Sequence, residues 1–246
     1  VWSSGTVDYT EDGYMLHPAF VADTYVGGNP NEYGSYKNGI GRNELTGFWV
    51  AKYMVSDNDA KVSITPNKQP DVSKNIGEAF NTCLNMDSSL GISTHLIKAS
   101  EWGAVSYLTK AFGVIPTENN TGLTGTNVAN STTNNYYGVF DMNGPTGEYL
   151  SAFVIKDALN TSALAYVGKM IDEQYDSIID VVNLTENDNA DNNDLRLKDF
   201  YGFSMYESKD FVLYDTENAP TGSEPFFSKG GIGVGMFGYD RCSGTG

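Results

Sequence analysis

Thr46-Gly47-Phe48-Trp49-Val50-Ala51-Lys52-Tyr53-Met54-Val55-Ser56 reads as a β-strand. Its aromatic and β-branched residues run almost without a polar break, and turn-forming residues flank it. That is the pattern of a central strand buried on both faces. Helical spacing follows it. Over Val72–Met86, Ile76, Ala79, Phe80, Cys83 and Leu84 fall on one face, with Asp71 or Ser73 placed to cap the N-terminus. A second helix is predicted from Ser100 to about Phe112, burying Trp102, Val105, Leu108 or Tyr107, and Phe112. Ser100 serves as its cap, and Glu101 complements the dipole from the first turn. Strand and helix signals in one stretch imply an α+β protein.

The flanks are richer in turns. Residues 1–44 carry Gly27-Gly28-Asn29-Pro30 and Asn38-Gly39, and read as a loop-rich portion packed on a single domain spanning 1–246. Ile115–Asn135, made largely of Asn, Thr and Gly, reads as a long surface loop. Tyr136–Met142 reads as a short strand, and residues 143–170 fit either strands or a helix around Ala158–Met170. Phe200–Tyr214 and the Gly-aromatic stretch Pro225–Ser243 read as partly packed.

The 246 residues carry 31 acidic and 15 basic side chains, a formal charge of −16. Such a surface repels phosphate backbones, which excludes nucleic acid as a direct partner. No run of about 18 apolar residues is present, so insertion into a membrane is not expected. Val1–Asp12 has neither a basic start nor an apolar stretch, and the sequence reads as a mature or excised segment. The two cysteines, Cys83 and Cys242, offer no metal-ligand spacing. They are read as partly buried thiols, with one disulfide as the alternative. No phosphate-binding loop, zinc spacing or nucleophile elbow occurs, and His17 and His95 lie outside any acid–nucleophile pattern.

Four segments resemble, in order, motifs of the formylglycine-generating-enzyme (sulfatase-modifying-factor) superfamily. The first is Gly47–Ser56, similar to that family's early Phe-aromatic-aliphatic-Gly-Lys-Tyr-Glu-Val-Thr strand. The second, Thr94-His95-Leu96-Ile97-Lys98-Ala99-Ser100-Glu101-Trp102, is similar to its Arg-Leu-Pro-Thr-Glu-Ala-Glu-Trp helix start. The third, Tyr137-Gly138-Val139-Phe140-Asp141-Met142-Asn143-Gly144-Pro145-Thr146-Gly147-Glu148-Tyr149, resembles Gly-aliphatic-Tyr-Asp-Met-x-Gly-Asn-Val-Trp-Glu-Trp. The fourth, Phe227-Ser228-Lys229-Gly230-Gly231, resembles its Arg-Gly-Gly-Ser-aromatic strand.

The resemblance implies a C-type-lectin-like fold, loop-rich, with two short helices and small antiparallel sheets. It also implies what is missing. The family's copper-binding cysteine pair would fall near Gly235 and Asp240; those positions hold no cysteine and Cys242 is alone and off register, so a copper oxidase of that type is not expected. The family's calcium-associated Asn and Trp are replaced by Pro145 and Gly147, and only Glu148 of that segment persists. A separate calcium site on Asp188, Asp191 and Asp194 is weighed against a solvated acidic loop.

Non-catalytic relatives of this type include phage tail-fibre receptor-binding proteins, the variable proteins of diversity-generating retroelements, and surface or pilin-type proteins of gut Firmicutes. The resemblance therefore implies no cofactor and an extracellular recognition or adhesion module, displayed on a virion or a bacterial surface. A cell-surface glycan or protein receptor is the expected partner. The alternative is a structural subunit that associates with identical copies as a homo-oligomer. The candidate ligand-binding face is Met236, Phe237, Tyr239, Asp240 and Arg241, with Tyr136 and Tyr149 beside it. Tyr gives contact area at low entropic cost, which suits display. Core packing of the aromatic residues is the competing reading.

Overall fold

The computed structural model describes residues 19, 25–27, 35–36, 47–56, 62–86, 93–155, 168–183, 226–229, 237–238 and 242–245. Helix α1 (Ile76–Leu84) begins where Asn75 and Glu78 form a reciprocal cap. The Asn75 side chain accepts from Glu78 N at 3.0 Å, and the Glu78 carboxylate accepts from Asn75 N at 2.9 Å. The helix thus starts later than the Asp71 or Ser73 cap would place it. Asp71 instead closes its own turn, accepting from Ser73 N and Oγ and pairing with Lys74 at 3.1 Å.

The predicted apolar face of α1 is the observed one. Ile76, Ala79, Phe80 and Cys83 are buried with Val55, Leu96, Met170 and Ile179 in one core cluster, and the Phe80 ring meets Tyr175 edge-on at 5.7 Å. Burial of a side chain the size of Phe80 contributes about 1.5–3 kcal/mol.

Helix α2 (Ala99–Ala111) follows strand β4 (Ser93–Leu96) after two residues. Lys98, not Ser100, is its N-cap residue, and the Glu101 carboxylate accepts from Lys98 N at 2.9 Å. Its buried face consists of small and polar residues around Trp102: Ala99, Ser100, Glu101, Gly103, Ala104, Ser106 and Thr109. Leu108 and Phe112 are exposed, contrary to the expectation that they fill the core.

Nine strands are assigned among the described residues: β1 (Tyr25–Gly27), β2 (Ser35–Tyr36), β3 (Trp49–Val50), β4, β5 (Gly147–Ile155), β6 (Asp180–Asn183), β7 (Phe226–Lys229), β8 (Phe237–Gly238) and β9 (Cys242–Thr245). One sheet has the order β3-β9-β4 and is antiparallel. The other runs β2-β1-β6-β5-β7, with β8 also pairing with β5. This larger sheet is mixed, not antiparallel as expected. β6 runs parallel to both β5 and β1, while β7 opposes β5. A parallel return needs a connection of roughly a dozen residues or more, and the long stretch between β5 and β6 supplies it. The chain is α+β.

Within the predicted strand Thr46–Ser56, the described residues Gly47–Ser56 do not form a central strand. Only Trp49–Val50 is strand, at the edge of the three-stranded sheet, with Trp49 79% exposed. The remainder leaves the sheet and buries Met54 and Val55 without ladder pairing. Its backbone is satisfied by tertiary bonds instead: Phe140 N donates to Lys52 O at 2.9 Å, and Met54 N donates to Thr124 Oγ1 at 3.2 Å. Tyr136–Met142 is likewise not a strand but a turn with a single bridge between Ser131 and Phe140.

The Asn/Thr segment 115–135 lies largely at the surface as expected, carries a 3₁₀ turn at Val128–Asn130, and buries a few polar residues, among them Asn119, Thr124 and Asn130. Its organiser is Asp141, fully buried with φ +63°. The Asp141 carboxylate accepts from Asn119 Nδ2 (2.9 Å), Thr124 Oγ1 (2.5 Å) and Gly125 N (2.8 Å). Three donors on one buried carboxylate satisfy the loop's polar groups where water cannot.

Candidate functional site

The exposed stripe of α2 lines one side of an apolar groove of about 360 Å³. Val105, Leu108 and Phe112 recur at helical spacing along it. The second side is Gly47–Val50, which brings Trp49, and the third is Thr132, Thr133 and Tyr137–Val139. Three aromatic side chains stand largely in solvent around it: Trp49 at 79%, Phe112 at 73% and Tyr137 at 92% exposure. Every residue lining the groove is uncharged, in a chain with a net charge of −16. Its threonine hydroxyls already serve the fold. Thr109 Oγ1 donates to Val105 O (2.6 Å), Thr133 Oγ1 to Asn135 Oδ1 (2.8 Å), and Thr132 Oγ1 accepts from Val139 N (3.0 Å). The arrangement favours apolar and aromatic contact over the binding of ions.

The loop that presents Tyr137 is fixed by its own short polar residues. Asn135 Oδ1 accepts from Tyr137 N at 2.8 Å, and Ser131 Oγ joins Asn135 through both its N and its O. At Gly138 a Cβ would collide with Thr132 and Thr133, so only glycine lets the chain close there. Beneath this loop, Lys52 donates to Tyr136 O and lies over the Tyr53 and Phe140 rings, 5.5 and 5.7 Å from their centroids.

The α2 side of the groove is anchored by buried charge. His95 Nε2 pairs with both Glu101 oxygens at 3.1 and 3.2 Å. Asp180 of β6 accepts from Ser100 N at 2.7 Å, and Lys98 is 2% exposed beside them. Trp102 Nε1 donates to Glu148 of β5 at 3.1 Å. Burial alone raises the Glu101 carboxyl, but His95 and Lys98 outweigh it and bring its pKa down to about 2. For Asp180 burial prevails over Lys98 and the Ser100 amide, and its pKa is raised.

Of the expected ligand face, Tyr136, Tyr149 and Phe237 are among the described residues. Tyr136 is exposed in the turn next to Tyr137, whereas Tyr149 is half-buried against the core cluster around α1. Phe237 is in β8, opposite Gly147 of β5. Met236, Tyr239, Asp240 and Arg241 lie outside the described residues, as do the calcium candidates Asp188, Asp191 and Asp194. Among the described residues, no three or more His, Cys, Asp or Glu side chains gather as a metal site, and no helix is long and apolar enough to cross a membrane. Sequence reasoning missed the groove because Trp49, Leu108 and Phe112 carry the same periodic signal whether a core or solvent faces them. No protein-family model matches the sequence, and no curated protein matches it.

Proposed function

We propose that this chain is a non-catalytic recognition domain with a C-type-lectin-like fold of the formylglycine-generating-enzyme type, displayed on a virion or bacterial surface. It engages a protein receptor through the groove between β3, α2 and the Tyr137 loop. The observation that carries this reading is the set of three exposed aromatics, Trp49, Phe112 and Tyr137, held around an uncharged groove. Exposed apolar patches of this kind mark interaction sites, and Trp and Tyr dominate the energetics of protein interfaces. Fixing the aromatic positions in advance reduces the ordering cost of binding. The buried Asp141 carboxylate, within Gly138-Val139-Phe140-Asp141-Met142-Asn143-Gly144, supports the fold assignment by organising the loops around that motif. The lack of a cysteine pair in the C-terminal stretch, where Cys242 stands alone, supports the non-catalytic reading.

The occupant that fits is an uncharged, apolar or aromatic segment of another protein. A second copy brings its own charge of −16 and is opposed by like-charge repulsion. A glycan needs directed hydrogen bonds, and the Thr109 and Thr133 hydroxyl protons are already spent within the fold.

Panning a random peptide library against the wild-type chain and against a Trp49→Ala/Tyr137→Ala variant tests the proposal. Enrichment of aromatic, uncharged peptides on the wild type alone supports it. A neutral glycan array bound only by the wild type would transfer the groove to sugars. Groove-dependent dimers in analytical ultracentrifugation would replace the receptor with a second copy. Equal behaviour of both proteins in all three assays overturns the site.

A further inference from the structure

Strand β3 has a partner on one side only. Trp49 pairs with Gly244 of β9 and Val50 with Ser243. Among the described residues, no strand and no other backbone hydrogen bond meets these two from the opposite side. In an antiparallel pair, successive residues alternate between exchanging both bonds with the partner and directing N–H and C=O away from it. One of Trp49 and Val50 therefore presents an unpaired donor and acceptor on the open edge. Such an edge is a template for a further strand.

That edge borders the groove. Four consecutive residues, Gly47, Phe48, Trp49 and Val50, line it. Successive side chains of a strand point to opposite faces, so a groove lying on one face would meet every second residue. Contact with all four runs along the chain itself. There is room beside it, since a Cβ on Gly47 would have nothing within 4 Å. Across the groove stands α2 with Val105, Leu108 and Phe112. One side thus offers main-chain bonds and the other offers apolar contact.

We propose that the partner protein adds an extended segment to the open edge of β3, as a strand lying between β3 and α2. This rests on the groove being the recognition site and specifies how its occupant is held. A strand matched to Gly47–Val50 is about four residues long, roughly 13 Å at 3.3 Å per residue. Main-chain bonds to the edge supply affinity, and alternate side chains turned toward α2 supply selectivity. Those side chains are uncharged: no charged residue lines the groove, so a Lys or Glu directed into it would shed water and meet no counter-charge. A helical segment bonds its own backbone and would leave the edge unpaired.

The test takes peptides enriched on the wild-type chain in the panning described above. Each is synthesised with acetyl and amide ends, then again with a methyl on each backbone nitrogen in turn. Methylation at alternate positions is expected to weaken binding by at least about tenfold and to be tolerated between them. The unmodified peptide should also slow hydrogen exchange at the outward amide of Trp49 or Val50. Tolerance of the methyl at every position, or apolar residues recurring every three or four, overturns strand addition and leaves the groove as the site. No enrichment specific to the wild type overturns both. Slowing of the same amide by raised protein concentration alone would seat a second copy on the edge and overturn the partner segment.

Discussion

Asp180, on strand β6, caps helix α2 from outside its own sequence by accepting the Ser100 amide at 2.7 Å. An acidic group at a helix N-terminus satisfies an otherwise orphaned N–H and opposes the positive end of the dipole. Here it also ties the groove-bearing helix to the larger sheet. Asp180→Ala leaves the buried amide unmatched and is expected to lower unfolding free energy by roughly 1–3 kcal/mol. Asp180→Asn retains an acceptor oxygen and sheds the desolvated charge, so it should cost less than alanine. Urea unfolding of both variants at pH 7 checks the order, and equal losses would contradict the capping role.

Glu101 supplies the acid dependence of stability. Its pKa falls from the ordinary 4.5 to about 2 in the folded chain. A depressed carboxyl binds its proton less readily when folded, so its contribution is complete above pH 4.5 and is lost as pH falls toward 2. Asp180 has the opposite sign, since its raised pKa restores stability as it takes up a proton. Asp71, whose carboxyl burial raises but Ser73 and Lys74 hold below its ordinary value, adds the same sign as Glu101, so unfolding midpoints between pH 5 and 2 are measured in an Asp71→Asn/Asp180→Asn background. Adding Glu101→Gln should flatten that decline. A slope that survives the glutamine would place the acid sensitivity elsewhere.

Local signals carried part of this fold and could not carry the rest. The Ile76, Ala79, Phe80 and Cys83 stripe lies against the core because an amphipathic face with nothing polar in it has one stable destination. The Val105, Leu108 and Phe112 stripe obeys the same periodicity yet faces the groove, because α2 buries its opposite side through Glu101, Trp102 and Ser106. Periodicity reports that a face is apolar, not what covers it. Residues 115–135 look superficial by composition, and bonds to Asp141, together with those to Met54 N and Leu123 O, make burial of Asn119 and Thr124 tolerable. Tyr136 was legible as an exposed aromatic, while Trp49 was hidden inside a run that reads as core.

Asp141 is the residue whose loss should disturb the loops most. Its φ of +63° suits Asp or Asn better than a larger side chain, and its carboxylate holds three buried donors. Asp141→Ala removes the acceptor and keeps the backbone strain, and a loss of roughly 2–4 kcal/mol is expected. Asp141→Asn keeps the conformation and one acceptor oxygen, so it should fall between alanine and the wild type. Amide exchange at Gly125, whose N–H donates to Asp141, is expected to accelerate in step with the loss. Unchanged protection there would separate the loop from the carboxylate.

Two glycines in the same loop give a control that needs no ligand. Gly122 (φ +74°) has nothing within 4 Å of where a Cβ would stand, while a Cβ on Gly125 (φ +66°) would run into the Tyr53 ring. Gly122→Ala therefore costs only the left-handed backbone term of about 1–2 kcal/mol. Gly125→Ala adds displacement of Tyr53 from its packing against Phe140, 5.1 Å away, and should cost clearly more. Thermal melts of the two variants measure the difference, and near-ultraviolet circular dichroism should change only for Gly125→Ala, through the tyrosine. Identical melts would mean that the Tyr53 ring yields without cost.

The groove aromatics should behave in the reverse manner, mattering for binding and not for folding. Trp49 and Tyr137 are 79% and 92% exposed, so each alanine variant is expected to unfold within about 0.5 kcal/mol of the wild type. Leu108, half in solvent on the α2 side of the groove, should tolerate alanine nearly as well. Against a peptide selected on the wild type, loss of either aromatic should weaken binding by at least about tenfold, the minimum for a residue at the centre of an interface. The double variant tests whether the two act as one site. Because both rings border the same groove, their losses should fall short of additive. Strict additivity in isothermal titration would assign the two rings to separate contacts and divide the groove into independent patches.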